Sequence, residues 1–232
     1  MNGVARGGPQ RIPRPEGARP GSAPPWAAVA SAERAIDLAG LAGRLAERGD
    51  GRLLGSPDRS RGDSAVLIPL YDLDGEAHVV LTRRASHLRS HRHEVSFPGG
   101  RVDTDDASHW HAAVREADEE IALDPTIVRR IGELDRFVTV GSQTLIHPQV
   151  AVLEREPDLV PALDEVEHIL HVPVSELLLD EVYREELWPI GGVERAITFF
   201  ELHGDTVWGA TAAMLRQLLA IATRSDETIV RP

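Results

Sequence analysis

The stretch Phe97-Pro98-Gly99-Gly100, followed by Asp103 and Asp106 and then by Arg115-Glu116-Ala117-Asp118-Glu119-Glu120, decides the reading of this chain. A glycine turn stands just ahead of a segment whose carboxylates repeat at helical spacing. Successive helical residues rotate by roughly 100°, so Glu116, Glu119 and Glu120, at i, i+3 and i+4, project together, while Trp110, Val114, Ala117 and Ile121 form a separate apolar stripe. One face can bind and the other can pack. Adjacent carboxylates repel by ~1 kcal/mol or more per pair near a surface, a cost that a bound cation removes. The alternative is a solvated acidic helix face, but the glycine turn at this spacing favours a site for divalent metal and phosphate.

Composition narrows the chemistry. The 232 residues, 42% hydrophobic, suffice for one domain with a full core. The chain has no cysteine, which excludes disulfides, thiolate metal sites and a cysteine nucleophile. All 25 basic residues are Arg, which excludes a lysine nucleophile or Schiff base and leaves the planar guanidinium as the reader of phosphate. A formal net charge of −12 argues against nucleic acid as a partner, since that affinity comes largely from a basic surface. A small phosphorylated substrate needs only a local basic patch, and Arg83, Arg84, Arg89 and Arg92, with His87, His91 and His93 between them, supply one directly before the glycine turn. The competing reading of that patch is a solvated loop. No apolar run approaches the ~20 residues that span a bilayer, and the first 30 residues lack the apolar segment of a secretory signal. A cytoplasmic protein with no membrane partner is therefore expected.

The acidic segment resembles the signature of the Nudix hydrolases, G-x5-E-x7-R-E-U-x-E-E-x-G-U with U aliphatic. Gly100 opens it, and Arg115-Glu116-Ala117-Asp118-Glu119-Glu120 matches R-E-U-x-E-E. Asp106 stands where the first Glu is expected, the spacer to Arg115 is one residue longer, and Ala122 replaces the later Gly. Ala there costs something only if the position needs φ > 0. Upstream, the chain is similar to members that hydrolyse coenzyme A, which carry L-L-T-x-R-[SA]-x3-R-x3-G-x3-F-P-G-G. Here the sequence reads Val80-Leu81-Thr82-Arg83-Arg84-Ala85, then Arg89, then His93 in place of Gly, then Phe97-Pro98-Gly99-Gly100.

The resemblance implies an α/β fold, an α/β/α sandwich with a mixed β-sheet, and hydrolysis of coenzyme A or acyl-CoA to 3′,5′-ADP and (acyl-)4′-phosphopantetheine with Mg²⁺ or Mn²⁺. It implies Glu116 and Glu120 as direct metal ligands, Glu119 as ligand or water-holding carboxylate, and a carbonyl of the Gly99-Gly100 turn as a further oxygen. Arg115 is expected to brace the carboxylates. Arg83, Arg84, Arg89, His93 and Phe97 are the expected substrate-binding residues, and Glu165 is the best outside candidate for general base, against an exposed acidic loop as the alternative. Another nucleoside diphosphate derivative (ADP-ribose, NADH, a dinucleotide) or a nucleotide-binding module without catalysis stays open, as does a homodimer. Zinc would require convergence of His87, His91, His93, His109 or His111, and sequence proximity alone shows none. Trp188 and Trp208 are expected as core aromatics.

Residues 1–30, rich in Pro, Gly, Arg and Ala, are expected to form a disordered arm. From Ser31, a plausible N-cap, Leu38, Leu41, Ala42 and Leu45 keep helical spacing up to Gly49-Asp50-Gly51, an accessory helix over 31–50. The catalytic domain is expected over 60–226. Ala65 to Leu70 and Ala77 to Thr82 read as strands joined at Asp74-Gly75. Further strands are expected around Ile131 to Val140, Thr144 to Leu153, His168 to Val172 and Glu194 to Phe200, with a helix from Thr211 to Thr223. Strands without regular βαβ alternation favour a mixed sheet.

Overall fold

The structure, a computed structural model, describes residues 6–55, 60–88 and 92–225. Two long strands, β3 (Asp63–Leu73) and β4 (Glu76–Arg84), form the expected hairpin. Asp74 and Gly75 both take positive φ, 53° and 86°, the two-residue turn whose twist matches that of the strands. On its other edge β3 pairs in parallel with β9 (Leu145–Leu153), and β4 pairs antiparallel with β10 (Val166–Pro173). Shorter strands complete a nine-stranded mixed sheet: β2 (Leu53–Leu54), β5 (Val95–Ser96), β6 (Gly99–Arg101), β7 (Val128–Glu133) and β8 (Arg136–Val138). The run expected from Ile131 to Val140 is thus two strands.

Helices cover both faces. Ala112, Ala113, Ala117 and Ile121 of α2 (His109–Ile121) pack on Ala65, Leu67, Tyr71 and Ala151. On the opposite face Leu41 and Leu45 of α1 (Leu38–Arg48) and Leu215, Leu218 and Leu219 of α4 (Gly209–Ala222) meet Ile68, Leu70, Phe137 and Val150. A short helix, α3 (Val174–Leu177), follows β10. This is the expected α/β architecture with a mixed sheet between helices.

Two expectations are corrected. The cap of α1 is Asp37, whose carboxylate accepts from the amides of Ala39 and Gly40, and Ser31 instead opens a single 3₁₀ turn. Residues 6–30 are not a disordered arm. They lie along a second, four-stranded antiparallel sheet of β1 (Arg19–Pro20), β11 (Tyr183–Ile190), β12 (Val193–Glu201) and β13 (Thr206–Trp208). The physical reason is Trp26, fully buried, with its ring 5.4 Å from Tyr183 and 6.3 Å from Phe200 and its indole N–H donating to the Leu178 carbonyl. One large aromatic anchors a segment whose average composition is that of a loop. Trp188 is a core aromatic as expected, packed on Ile197 and Phe199, with Trp208 partly buried beside it.

Candidate active site

The expected glycine turn is instead the short strand β6, which pairs with β3 beside the acidic helix. Gly99 and Gly100 pair with Val66 and Ala65, and the backbone of β3 leaves Gly99 no room for a side chain. A Cβ on Gly99 would lie 2.5 Å from the Ala65 carbonyl oxygen, and one on Gly100 would lie 2.5 Å from the Glu116 carboxylate. The bare glycine strand therefore lets the Glu116 carboxylate lie against the backbone. Helix α2 starts at Ser108, whose hydroxyl accepts from the His111 amide, and ends at Ala122 in the left-handed region, φ 52° and ψ 37°.

Glu120 is the pivotal carboxylate. Only 7% exposed, it accepts a single side-chain hydrogen bond among the described residues, from the Gly99 amide at 3.2 Å. Burial pushes its carboxyl up to about 7, and the charges of Glu116 and Glu165 push the same way, while Arg84 and the Gly99 amide oppose them. Burial likewise raises Glu116, partly offset by Arg115 and reinforced by Glu119 and Glu165. Glu165, distant in sequence, is placed by its own amide, which donates to the Ala162 carbonyl, and by its carbonyl, which accepts from the Ala85 amide. Groups of one sign gathered where ionisation is disfavoured are the mark of a site completed by a cation. A hard oxygen donor set of this kind fits Mg²⁺ or Mn²⁺.

Arg115 braces the carboxylates as expected. It donates to both oxygens of Asp106 (3.1 and 2.9 Å), to Glu116 and Glu119 (3.0 Å each) and to the Arg101 carbonyl. Asp106, held well below the ordinary carboxylate range chiefly by Arg115, also accepts from the Asp103 amide. The Asp that stands in for the first Glu of the signature is thus a partner of Arg115. Glu119 is the outermost of the three, with its side chain 59% exposed.

The basic residues divide. The Nε of Arg84 is buried without a hydrogen-bond partner among the described residues, and its charge acts on Glu120. Arg83 is engaged elsewhere, 3.3 Å from Asp205 and 3.6 Å from Glu167. His93 takes φ 60°, its ring nitrogen lies 3.2 Å from Glu167, and its carbonyl accepts from Gln10. Gln10 also binds Asp205 and the Thr206 amide, so the N-terminal segment fastens the loop to the second sheet. Arg89 and His91 lie outside the described residues. Phe97, expected to contact substrate, lies just past strand β5 and is 2% exposed in the core with Leu81 and Val95, a correction made by the packing of its ring. Gln10, Asp205 and Glu167 were missed because nothing local in sequence links them to the arginine loop.

The Nudix domain profile matches residues 61–190. Nudix hydrolase 15, mitochondrial, of Arabidopsis thaliana is 36% identical over 68% of this chain and 58% of its own length. Nudix hydrolase NudL of Enterobacter sp. (strain 638) is 37% identical over 68% of this chain and 82% of its own. The chain thus spans little more than half the length of the plant relative. A solved MutT/nudix family protein from Enterococcus faecalis aligns at 14% identity with a TM-score of 0.46, over 80% of this chain and 68% of that one. The chain belongs to the Nudix family of hydrolases.

Proposed function

We propose that this Nudix hydrolase splits the pyrophosphate of coenzyme A or an acyl-CoA, giving 3′,5′-ADP and (acyl-)4′-phosphopantetheine. Water attacks one phosphorus in line, the bridging P–O bond breaks, and the departing phosphate takes the charge. A bound Mg²⁺ or Mn²⁺ supplies charge neutralisation and water activation. The chain's own groups do the rest. Glu116 and Glu120 would hold the ion, with Glu119 and a carbonyl of the Gly99-Gly100 pair as further oxygens, and Arg115 fixes Glu116 and Glu119 in register. Glu165 is the outside carboxylate for orienting the attacking water, since its charge already acts on both Glu116 and Glu120. Arg84, with an unsatisfied buried Nε, is the residue to meet a phosphate oxygen.

The observation that carries the reading is the backbone link from the end of β4 to α2, in which the Ala85 amide donates to the Glu165 carbonyl, the Glu165 amide to the Ala162 carbonyl and the Ala162 amide to the Glu120 carbonyl, so that Arg84 and the carboxylates share one site. Chromatography of products from coenzyme A, acyl-CoAs, NADH, ADP-ribose and dinucleoside polyphosphates, with Mg²⁺ and Mn²⁺, tests it. Appearance of 3′,5′-ADP from coenzyme A is expected. Robust turnover of ADP-ribose or NADH with none of any CoA ester would overturn the substrate class and leave the family untouched.

A further inference from the structure

Away from the carboxylates of α2, the structure gathers Asp63, His109 and His147, whose ligand atoms all lie within 4.8 Å of one another. They come from the start of β3, the first turn of α2 and the start of β9. Asp63 and His147 reach one face because β3 and β9 run parallel, with Ala65 opposite His147. The rings of His109 and His147 stack with centroids 3.5 Å apart, and Asp63 Oδ2 lies 3.5 Å from His147 Nε2 and 3.9 Å from His109 Nε2. His147 is 4% exposed, yet its Nε2 has no hydrogen-bond partner among the described residues. A buried imidazole nitrogen left without a hydrogen bond and aimed at a carboxylate calls for an explanation.

We propose that Asp63, His109 and His147 form a second cation site, distinct from the Glu116–Glu120 site, which takes a divalent transition metal of the Zn²⁺ or Co²⁺ class. Two imidazoles and one carboxylate suit those metals, whereas Mg²⁺ wants an all-oxygen shell and keeps its waters. The local field opposes any cation here. Arg136 acts on His147, and the positive end of α2 lies at His109, so a cation is held here by ligand bonds rather than by net charge. Asp63 and His109 are partly exposed, which gives an entry path from solvent. His109 precedes Glu116 by seven residues, or about 10 Å along the helix, so the two sites are separate. The metal would tie β3, β9 and the head of α2 together. Convergence is therefore between His109 and a histidine 38 positions later, and it bypasses the neighbouring His111.

The test is a Co²⁺ titration of the chelator-treated full chain in excess Mg²⁺, followed by visible absorption and histidine-ring NMR. Wild type is compared with His109→Ala, Asp63→Asn and the double variant Glu116→Gln/Glu120→Gln, each checked for folding by circular dichroism. One Co²⁺ should bind in the presence of Mg²⁺ and persist in the double carboxylate variant. Affinity should fall at least about tenfold in His109→Ala and in Asp63→Asn. Two exposed-side variants keep the test open if either fails to fold. No Co²⁺ retained against Mg²⁺, affinity unchanged in both ligand variants, or loss only in the carboxylate variant would each overturn the site.

Discussion

At the scale of single residues, Glu120 carries the account. Its carboxyl sits at about 7 against an ordinary 4.5, chiefly because it is buried, so the fold disfavours its ionised form. The contribution to stability is therefore full below about pH 4.5 and is lost as pH rises toward 7, ~3 kcal/mol at 1.36 kcal/mol per unit. Chelator-treated protein should melt at lower temperature at about pH 8 than at about pH 5.5, Mg²⁺ should raise the melting temperature more at the higher pH, and Glu120→Gln should weaken both trends, Glu116 keeping a smaller share. Calorimetry across pH with and without Mg²⁺ checks this; a metal response independent of pH would contradict it. The same substitution should cut turnover by ~10²-fold or more, because a ligand charge that stabilises the developing phosphate charge is gone. Circular dichroism alongside the rate separates lost chemistry from lost fold.

At the scale of elements, the departures from the family signature acquire physical meaning. Ala122 stands where the signature has Gly, and φ 52° shows that the position does require the left-handed region. A non-glycine residue there costs roughly 1–2 kcal/mol, partly offset by its smaller entropy loss on folding. Ala122→Gly should therefore stabilise the protein by about 0.5–1 kcal/mol in urea denaturation, and a destabilised variant would show that the strain is absorbed elsewhere. His93 repeats the pattern at φ 60°: glycine in the signature serves the backbone, and a histidine can occupy the turn with its ring toward Glu167. The acidic face of α2, the Asp74-Gly75 turn and the bracing role of Arg115 were legible because each is written within a dozen residues. Strand β11 was not, since Arg184, Glu185 and Glu186 break any simple alternation. Its charges are paired with Arg14, Glu201 and one another only in the folded chain. Phe97 was misread for a related reason, because a motif position says nothing about which way the side chain faces.

At the scale of the molecule, the N-terminal segment is part of the fold. Trp26→Ala removes a fully buried indole that packs on Tyr183 and Phe200, and should cost about 3–5 kcal/mol in equilibrium unfolding. A change below about 1 kcal/mol would mean the segment is only loosely attached. Composition could not reveal this, because a single aromatic outweighs the Pro and Gly around it. Gln10, held between the His93 carbonyl, Asp205 and Thr206, carries the same segment to the edge of the candidate substrate loop. Core, clasp and carboxylates thus converge on one end of β4, where the substrate's pyrophosphate is proposed to bind. The most direct measurement is kcat/KM for coenzyme A beside that for ADP-ribose, on one preparation, with Mg²⁺ and after chelation. Metal-dependent release of 3′,5′-ADP with coenzyme A as the better substrate is expected, and a preparation that cleaves ADP-ribose under Mg²⁺ while leaving coenzyme A intact would contradict the proposed activity.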